Sequence, residues 1–189
     1  FINNKFAKKA VAKGADGLIA VAAGAGGHAG ALSPFALVQE IREWFDGPLL
    51  LSGSIANGDA VLASQAMGAD LAYIGSAFIA TDEANAVQAY KQSVVDNNAD
   101  DIVLSNLFTG VSGNCLKPSI EAAGLDPSNL PTSDASKMSF GSGGESDSKA
   151  WKDIWGCGQG IGAVKSVQTT EALVGRLSAE YRAAKIRLG

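Results

Sequence analysis

The sequence predicts an α/β protein, and two observations carry this prediction. Short apolar runs that lack polar alternation recur at 17–23, 49–51 and 71–74. Each run is followed by a glycine-containing loop and then by a helical pattern. Buried strands that are joined by helices form right-handed parallel βαβ arrays. A doubly wound sheet and a (β/α)8 barrel both fit this repeat, and the short helix between the last two strands favours the barrel.

Helix start and stop signals place the elements between these strands. A helix over 5–13 ends at a glycine. Ser33 and Pro34 begin the next helix, because serine caps helix N-termini and proline fits the first turn. Further helices are expected over 60–67 and 85–96. The second helix carries its apolar stripe at helical spacing, at Phe35, Val38, Ile41 and Phe45.

The repeat of strand, loop and helix does not continue between 97 and 158. A strand over 102–104 and a helix over 115–123 are predicted within that segment. Residues 126–148 are rich in Ser, Asp, Gly and Pro, a composition typical of a flexible loop or lid rather than a core. A last amphipathic helix is predicted over 169–188, with an apolar face of Leu173, Leu177, Tyr181, Ala184 and Leu188.

The composition limits the classes of partner. The net charge is −4 at pH 7 without a basic run, which argues against nucleic acid. No apolar stretch approaches the ~20 residues of a membrane span and no signal peptide is present, so we expect a cytoplasmic protein without a membrane partner. Cys115 and Cys157 fit no metal spacing, and two free thiols are favoured over a disulfide. The chain begins within a predicted helix, and about five further strands of a barrel are expected upstream.

Three loops follow the predicted strands, at 24–30, 52–58 and 75–78. In α/β folds this is where ligands bind. The first loop contains His28, the only histidine of the sequence, between glycines that leave room for a bulky group. Histidine is the residue type that exchanges protons near neutral pH. Both a catalytic and an incidental histidine fit this position when the loop is considered alone.

The other two loops predict a phosphate site. Gly53-Ser54 and Gly75-Ser76 offer backbone N–H groups beside small side chains. Phosphate sites of barrels commonly use the loops after the seventh and eighth strands, where a helix N-terminus adds its dipole. The chain has no GxGxxG in a strand–helix context and no Walker-type GK[ST]. A mononucleotide such as FMN is therefore expected rather than a dinucleotide.

Four motifs resemble those of the nitronate monooxygenases, formerly called 2-nitropropane dioxygenases. They are GADGLI…GGHAG over 14–30, PLLLSGSIA over 48–56, MGAD…IGSAFIAT over 67–81 and GQGIG over 158–162. The resemblance covers 8–90 and 155–187. The order and spacing of four motifs make it specific at the level of the family.

The resemblance implies a fold. The chain would contain the sixth, seventh and eighth strands of an FMN-dependent (β/α)8 TIM barrel, with a small inserted, α-rich second domain. The implied boundaries are 1–96 for the barrel part, 97–158 for the inserted domain and 159–189 for a C-terminal helix that returns to the barrel.

The resemblance also implies site residues. The phosphate of FMN would lie at Gly53, Ser54, Gly75 and Ser76, where Ser54 replaces a usual glycine and Ser76 a usual threonine. Neither change forbids phosphate binding, because Ser76 keeps the hydroxyl donor and Ser54, although it adds a Cβ, can still offer its backbone N–H. His28 corresponds to the active-site histidine of the family. The other residues expected around the flavin are Gly26, Gly27, Gln159 and Gly160.

The implied activity is oxidation of alkyl nitronates or nitroalkanes with O2 to carbonyl compounds and nitrite. His28 would take the acidic α-proton or hold the nitronate oxygens, FMN would carry the redox step, and no metal is expected. Two other functions stay open. One is a flavin-dependent enoyl-acyl-carrier-protein reductase that uses NAD(P)H, since that family has the same barrel and a similar Gly-His loop. The other is a non-catalytic flavin- or phosphate-binding protein, and a homodimer is compatible with each.

Overall fold

A computed structural model describes residues 1–133 and 153–189 of the chain. Residues 134–148 of the expected lid lie outside the described residues. In chain order the elements are α1 (Asn4–Val11), β1 (Leu18–Val21), β2 (Gly27–His28), α2 (Pro34–Arg42), β3 (Leu49–Ser52), α3 (Gly58–Ala66), β4 (Leu71–Ala72), α4 (Ser76–Ile79), α5 (Gln88–Asp96), a 3-10 turn (Ala99–Asp101), β5 (Ile102–Ser105), β6 (Gly113–Leu116), α6 (Lys117–Ala122), a 3-10 helix (Gln159–Ala163) and α7 (Thr170–Leu188).

The three predicted buried strands form one parallel sheet in the order β1-β3-β4. Leu18 is paired with Leu49, so their side chains lie on the same face of the sheet. That face is buried against α1 and α2, where Leu37 and Ile41 are fully covered. The prediction of an α/β protein with three parallel strands is therefore confirmed.

The opposite face of this sheet is only partly covered by the described residues. Ile19 and Leu50 are half-buried, and Leu71 and Tyr73 are 57% and 51% exposed. Parallel sheets are ordinarily covered on both faces. The three strands do not close into a barrel among the described residues, and this half-exposed face is the one that would point into a barrel interior.

The helix signals were correct in part. Pro34 begins α2 as predicted, but the Ser33 side chain makes no capping hydrogen bond. Asn57 caps α3, since its Oδ1 accepts the Ala60 N–H at 2.8 Å. Phe35 is 62% exposed, so the prediction that it belongs to the buried apolar stripe of α2 is wrong. It lies in the first turn of α2.

The segment 97–158 differs from expectation. Its described residues contain the two strands β5 and β6 and only one short helix, so the prediction of an α-rich domain is wrong for them. The predicted helix over 115–123 begins at Lys117, because Cys115 belongs to β6. β2 was predicted as loop, yet it pairs with β6 and completes an antiparallel sheet in the order β2-β6-β5.

This segment shares a hydrophobic core with the rest of the chain. Leu116 and Cys157 pack in one cluster with Ala77 and Leu173. The same segment also has a small cluster of its own around Cys115, Ile120 and Ile154. The division of the chain into separate domains stays a prediction.

The predicted C-terminal helix is confirmed as α7, which packs against α3. Thr169 caps it, and Glu180 accepts the Gly58 N–H at 2.9 Å. Leu188 is exposed, so the apolar face ends before the last turn, contrary to expectation. In the part of the chain that the structure describes, no helix is both long and apolar enough to cross a membrane.

Candidate functional site

The loops that follow β1, β3 and β4 meet the stretch that precedes the second 3-10 helix. Together they line a small depression at the carboxyl ends of the parallel strands, the place where α/β folds bind ligands. We call this depression the glycine cradle. It is lined by Gly24, Gly26, Gly53, Ser54, Gly75, Ser76, Gly158 and Gly160, together with neighbouring backbone. The structure thus brings together six of the nine predicted site residues.

The glycine cradle offers hydrogen-bond donors. Within the described residues, no hydrogen bond uses the backbone N–H of Gly53, Gly75 or Ser76. The Ser76 hydroxyl accepts the Gly158 N–H at 2.9 Å and lies beside the Cys157 thiol. Clustered backbone N–H groups without protein acceptors form an anion-binding concavity. The donor set therefore fits a phosphate group.

Ser54 has a strained backbone. Its φ is 57°, and among the described residues it is the one non-glycine residue with a positive φ. This conformation costs a residue with a Cβ about 1–2 kcal/mol. Its N–H donates to the Gly24 carbonyl at 3.3 Å, which ties two loops of the cradle together. Backbone strain of this kind is concentrated at functional sites.

The glycines of the site serve two different purposes. A Cβ on Gly26 would lie 2.8 Å from the Gly158 nitrogen, and one on Gly160 would lie 2.8 Å from the Ser54 carbonyl carbon. These two glycines are therefore required by close packing of loops, and not by space for a ligand. Gly27 has a φ of 66° and open space around it, as the sequence-based reasoning expected.

His28 lies in an adjoining cavity of about 320 Å³, which we call the His28 pocket. His28 is exposed, and its Nε2 lies 2.9 Å from Thr109 Oγ1. Gly27 lines the same pocket. Most of the remaining wall is apolar, and its large side chains are Val87, Tyr90, Phe108, Ile154 and Trp155.

One wall of the His28 pocket is an aromatic stack. The rings of Tyr90 and Trp155 lie 5.0 Å apart at an interplanar angle of 12°. The Tyr90 hydroxyl donates to the Gly156 carbonyl. Burial raises the pKa of Tyr90, with the nearby thiols adding to the effect, so its phenol stays neutral. The wall is therefore rigid and uncharged.

Asn114 is a positioning residue that the sequence reasoning missed. It is 3% exposed, and its Nδ2 donates to the Ala25 carbonyl at 2.7 Å. Its own carbonyl accepts the Cys157 N–H at 3.0 Å. One residue of β6 thus holds the loop that carries His28 and the loop that closes the glycine cradle. A polar residue within the short strand GNCL was the available signal.

Gln159 is not in either cavity wall. It is exposed, and its backbone N–H donates to the Gly24 carbonyl at 2.9 Å. A role for its side chain beside a flavin stays a prediction.

Both cysteines are buried free thiols, as predicted. Burial raises the pKa of each thiol to about 11, so neither is a thiolate nucleophile near neutral pH. Among residues 1–133 and 153–189, no three His, Cys, Asp or Glu side chains form a group that could hold a metal ion.

Comparison with known protein families gives one match that covers most of the chain. The family model described as nitronate monooxygenase matches residues 4–180. A probable nitronate monooxygenase of Staphylococcus saprophyticus is 33% identical over 108 residues, which are 51% of this chain and 30% of the relative. A nitronate monooxygenase of Paraburkholderia phytofirmans is 28% identical over 134 residues, 66% of this chain and 37% of the relative. The chain thus spans about a third of the length of these relatives.

Solved structures agree with the fold over the whole chain. Nitroalkane oxidase from Streptomyces ansochromogenes has a TM-score of 0.74 at 28% identity, covering 100% of this chain and 58% of that one. FabK from Thermotoga maritima has a TM-score of 0.78 at 21% identity, covering 100% of this chain and 61% of that one. The likeness to FabK is one of fold alone.

Proposed function

The chain belongs to the nitronate monooxygenase family, and on this basis we propose that it oxidises alkyl nitronates or nitroalkanes with O2, using FMN. One observation carries the proposal. The glycine cradle and the His28 pocket adjoin, because Gly26 lines the first and Gly27 and His28 line the second. This adjacency supports a cofactor phosphate in the glycine cradle and proton transfer by His28 in the apolar pocket beside it.

FMN is proposed because the small glycine cradle presents backbone donors that suit a single phosphate group. The backbone N–H groups of Gly53, Gly75 and Ser76 would hold the phosphate, and the Ser76 hydroxyl would turn toward it. When bound, the flavin supplies the electron transfer between substrate and O2. The chain itself contributes binding, orientation and proton transfer.

His28 is the proposed proton-transferring group. With a neutral nitroalkane it would accept the acidic α-proton, and with a nitronate the protonated ring would donate a hydrogen bond to the nitronate oxygens. The stacked wall of Tyr90 and Trp155 would keep water from the substrate. A drier site strengthens each hydrogen bond and charge interaction within it.

We further propose that the parallel sheet belongs to a (β/α)8 barrel. The half-exposed face that carries Ile19, Leu50, Leu71 and Tyr73 is the surface that further strands would cover. Residues 97–133 and 153–158 would then sit above the carboxyl ends of the strands and supply part of the substrate wall, including Phe108. We also propose a cytoplasmic location, because both cysteines are free thiols.

Two measurements test the proposed function. The purified protein should show the absorption bands of oxidised flavin, with FMN released on denaturation. It should then consume O2 with ethyl nitronate or propionate 3-nitronate in the absence of NADH. The variant His28→Asn should lose turnover of nitroalkanes while it retains the flavin. A protein that oxidises NADH only when given an enoyl thioester would be a reductase instead, and full turnover in His28→Asn would contradict the role of the histidine.

A further inference from the structure

We infer that Thr109 fixes the tautomer of His28 and thereby makes Nδ1 the atom that accepts the substrate proton. Thr109 lies in the turn between β5 and β6, and β6 pairs with β2, which carries His28. The antiparallel sheet thus holds the hydroxyl and the imidazole in register. The consequence for catalysis rests on the proposed function, whereas the assignment of the tautomer does not.

The inference follows from counting hydrogens on one hydroxyl group. Thr109 Oγ1 lies 2.9 Å from His28 Nε2 and 2.9 Å from the Val111 carbonyl oxygen. The Val111 N–H also points to Oγ1, at 3.3 Å. A hydroxyl has one hydrogen to donate and two lone pairs to accept. A carbonyl oxygen can only accept, so the Thr109 hydrogen belongs to the Val111 carbonyl.

His28 Nε2 must then be a donor to Thr109. The two lone pairs of Oγ1 are used by the Val111 N–H and the Nε2–H, which completes the hydrogen bonding of the hydroxyl. In the opposite arrangement the Thr109 hydrogen would point to Nε2. The Thr109 hydroxyl oxygen and the Val111 carbonyl oxygen, 2.9 Å apart, would then have no hydrogen between them and would repel each other.

A neutral imidazole carries a single N–H, and here that hydrogen is on Nε2. Nδ1 therefore holds the lone pair. The hydrogen bond made by one ring nitrogen commonly decides the chemistry of the other. We assign proton acceptance to Nδ1 and describe Thr109 as a positioning residue, since it acts through His28.

Nitrogen NMR of the flavin-bound protein labelled with 15N-histidine tests the tautomer directly. His28 is the only histidine of these 189 residues, and a His28→Gln sample identifies its signals. The neutral ring should show the pattern of an Nε2-protonated tautomer. Thr109→Val keeps the side-chain shape but removes the acceptor, and should give a mixture of tautomers. Thr109→Ser keeps the hydroxyl and should restore the pattern of the unaltered protein.

Kinetics separate positioning from a merely structural role. Thr109→Val should lower kcat with a neutral nitroalkane about fivefold, the loss of one hydrogen bond of about 1 kcal/mol. The loss of kcat with a preformed nitronate should be smaller, because that substrate has already lost its proton. Equal losses with both substrates would contradict the positioning role.

An Nδ1-protonated spectrum in the unaltered protein would overturn the inference, as would an unchanged tautomer in Thr109→Val. A protein that shows the Nε2–H pattern but oxidises no nitronate would disprove the proposed function and leave the tautomer assignment standing. The spectrum of the unaltered protein decides the assignment even if Thr109→Val does not fold.

Discussion

Replacing Gly26 with alanine tests whether the loops of the glycine cradle are fitted to one another. The added Cβ would lie 2.8 Å from the Gly158 nitrogen, 2.9 Å from Ser76 Oγ and 3.0 Å from the Cys157 carbonyl carbon. Two of these neighbours are backbone atoms, which cannot rotate away as a side chain can. The φ of Gly26 is not positive, so the expected effect comes from the contacts alone.

The magnitude follows from the distances. Carbon contacts are normally about 3.5–4.0 Å, so the backbone at 157–158 would have to move by roughly 0.5–1 Å. That movement would stretch the bond from the Gly158 N–H to Ser76 Oγ, now 2.9 Å, beyond useful length. Overpacking costs about 1–3 kcal/mol and the lost hydrogen bond about 1 kcal/mol. We therefore expect Gly26→Ala to lower the free energy of unfolding by about 2–4 kcal/mol.

Urea unfolding of the purified protein measures this loss, and flavin fluorescence measures retention of the cofactor. If Gly26→Ala destabilises the flavin-bound protein by about 1.4 kcal/mol more than the flavin-free protein, the Kd for FMN rises about tenfold. Gly175→Ala is the matched control, because it lies within α7 with nothing within 4 Å of an added Cβ. It should stabilise the protein by up to about 1 kcal/mol. The close fit of the loops is refuted if Gly26→Ala unfolds at the urea concentration of the unaltered protein and binds FMN equally well.

Three further predictions concern charge, thiols and a buried amide. The pKa of Asp70 is held below its ordinary value of 3.8. The main cause is the hydrogen bond from the Leu49 N–H, and the hydrogen bond from the Arg42 guanidinium is the second. The ionised carboxylate therefore stabilises the fold above its ordinary pKa, and this stabilisation is lost as the pH falls through the lowered pKa of the folded state. In Asp70→Asn the urea concentration at the unfolding midpoint should consequently decrease less steeply below about pH 4 than in the unaltered protein. Cys115 and Cys157 have pKa values of about 11, so at pH 8 Ellman's reagent should label them only after unfolding. Asn114→Ala leaves a buried carbonyl without its donor, and should lower the free energy of unfolding by about 1–3 kcal/mol in urea titrations.

The parallel sheet was predictable because its signals are local. Runs such as LLL at 49–51 have no polar residue to place on a solvated face, and Pro34 and Asn57 begin helices through their own side chains or ring geometry. Exposure was less predictable. Phe35 and Leu188 fit a helical period, but period alone does not say where along a helix the neighbouring element ends.

The antiparallel sheet was not predictable from local pattern. β2 has only two residues, Gly27 and His28, and neither has a strong preference for strands. Its partner strand β6 lies more than 80 residues further along the chain. A pairing of this kind is decided by tertiary contacts that no window of sequence contains. For the same reason the sequence led to a loop at 24–30 and to a helix that begins too early, at Cys115.

The two parts of the candidate site therefore come from different kinds of sequence information. The glycine cradle is built from strand-end loops with recognisable spacing, such as Gly53-Ser54 and Gly75-Ser76, and all four of these residues were predicted. The His28 pocket takes its polar partner, Thr109, from the turn between β5 and β6, where no motif marks it. The proposed cofactor site and the proposed proton-transferring residue thus lie on separate sheets. Substitutions in that turn should alter turnover without releasing flavin, whereas substitutions in the cradle should release flavin first.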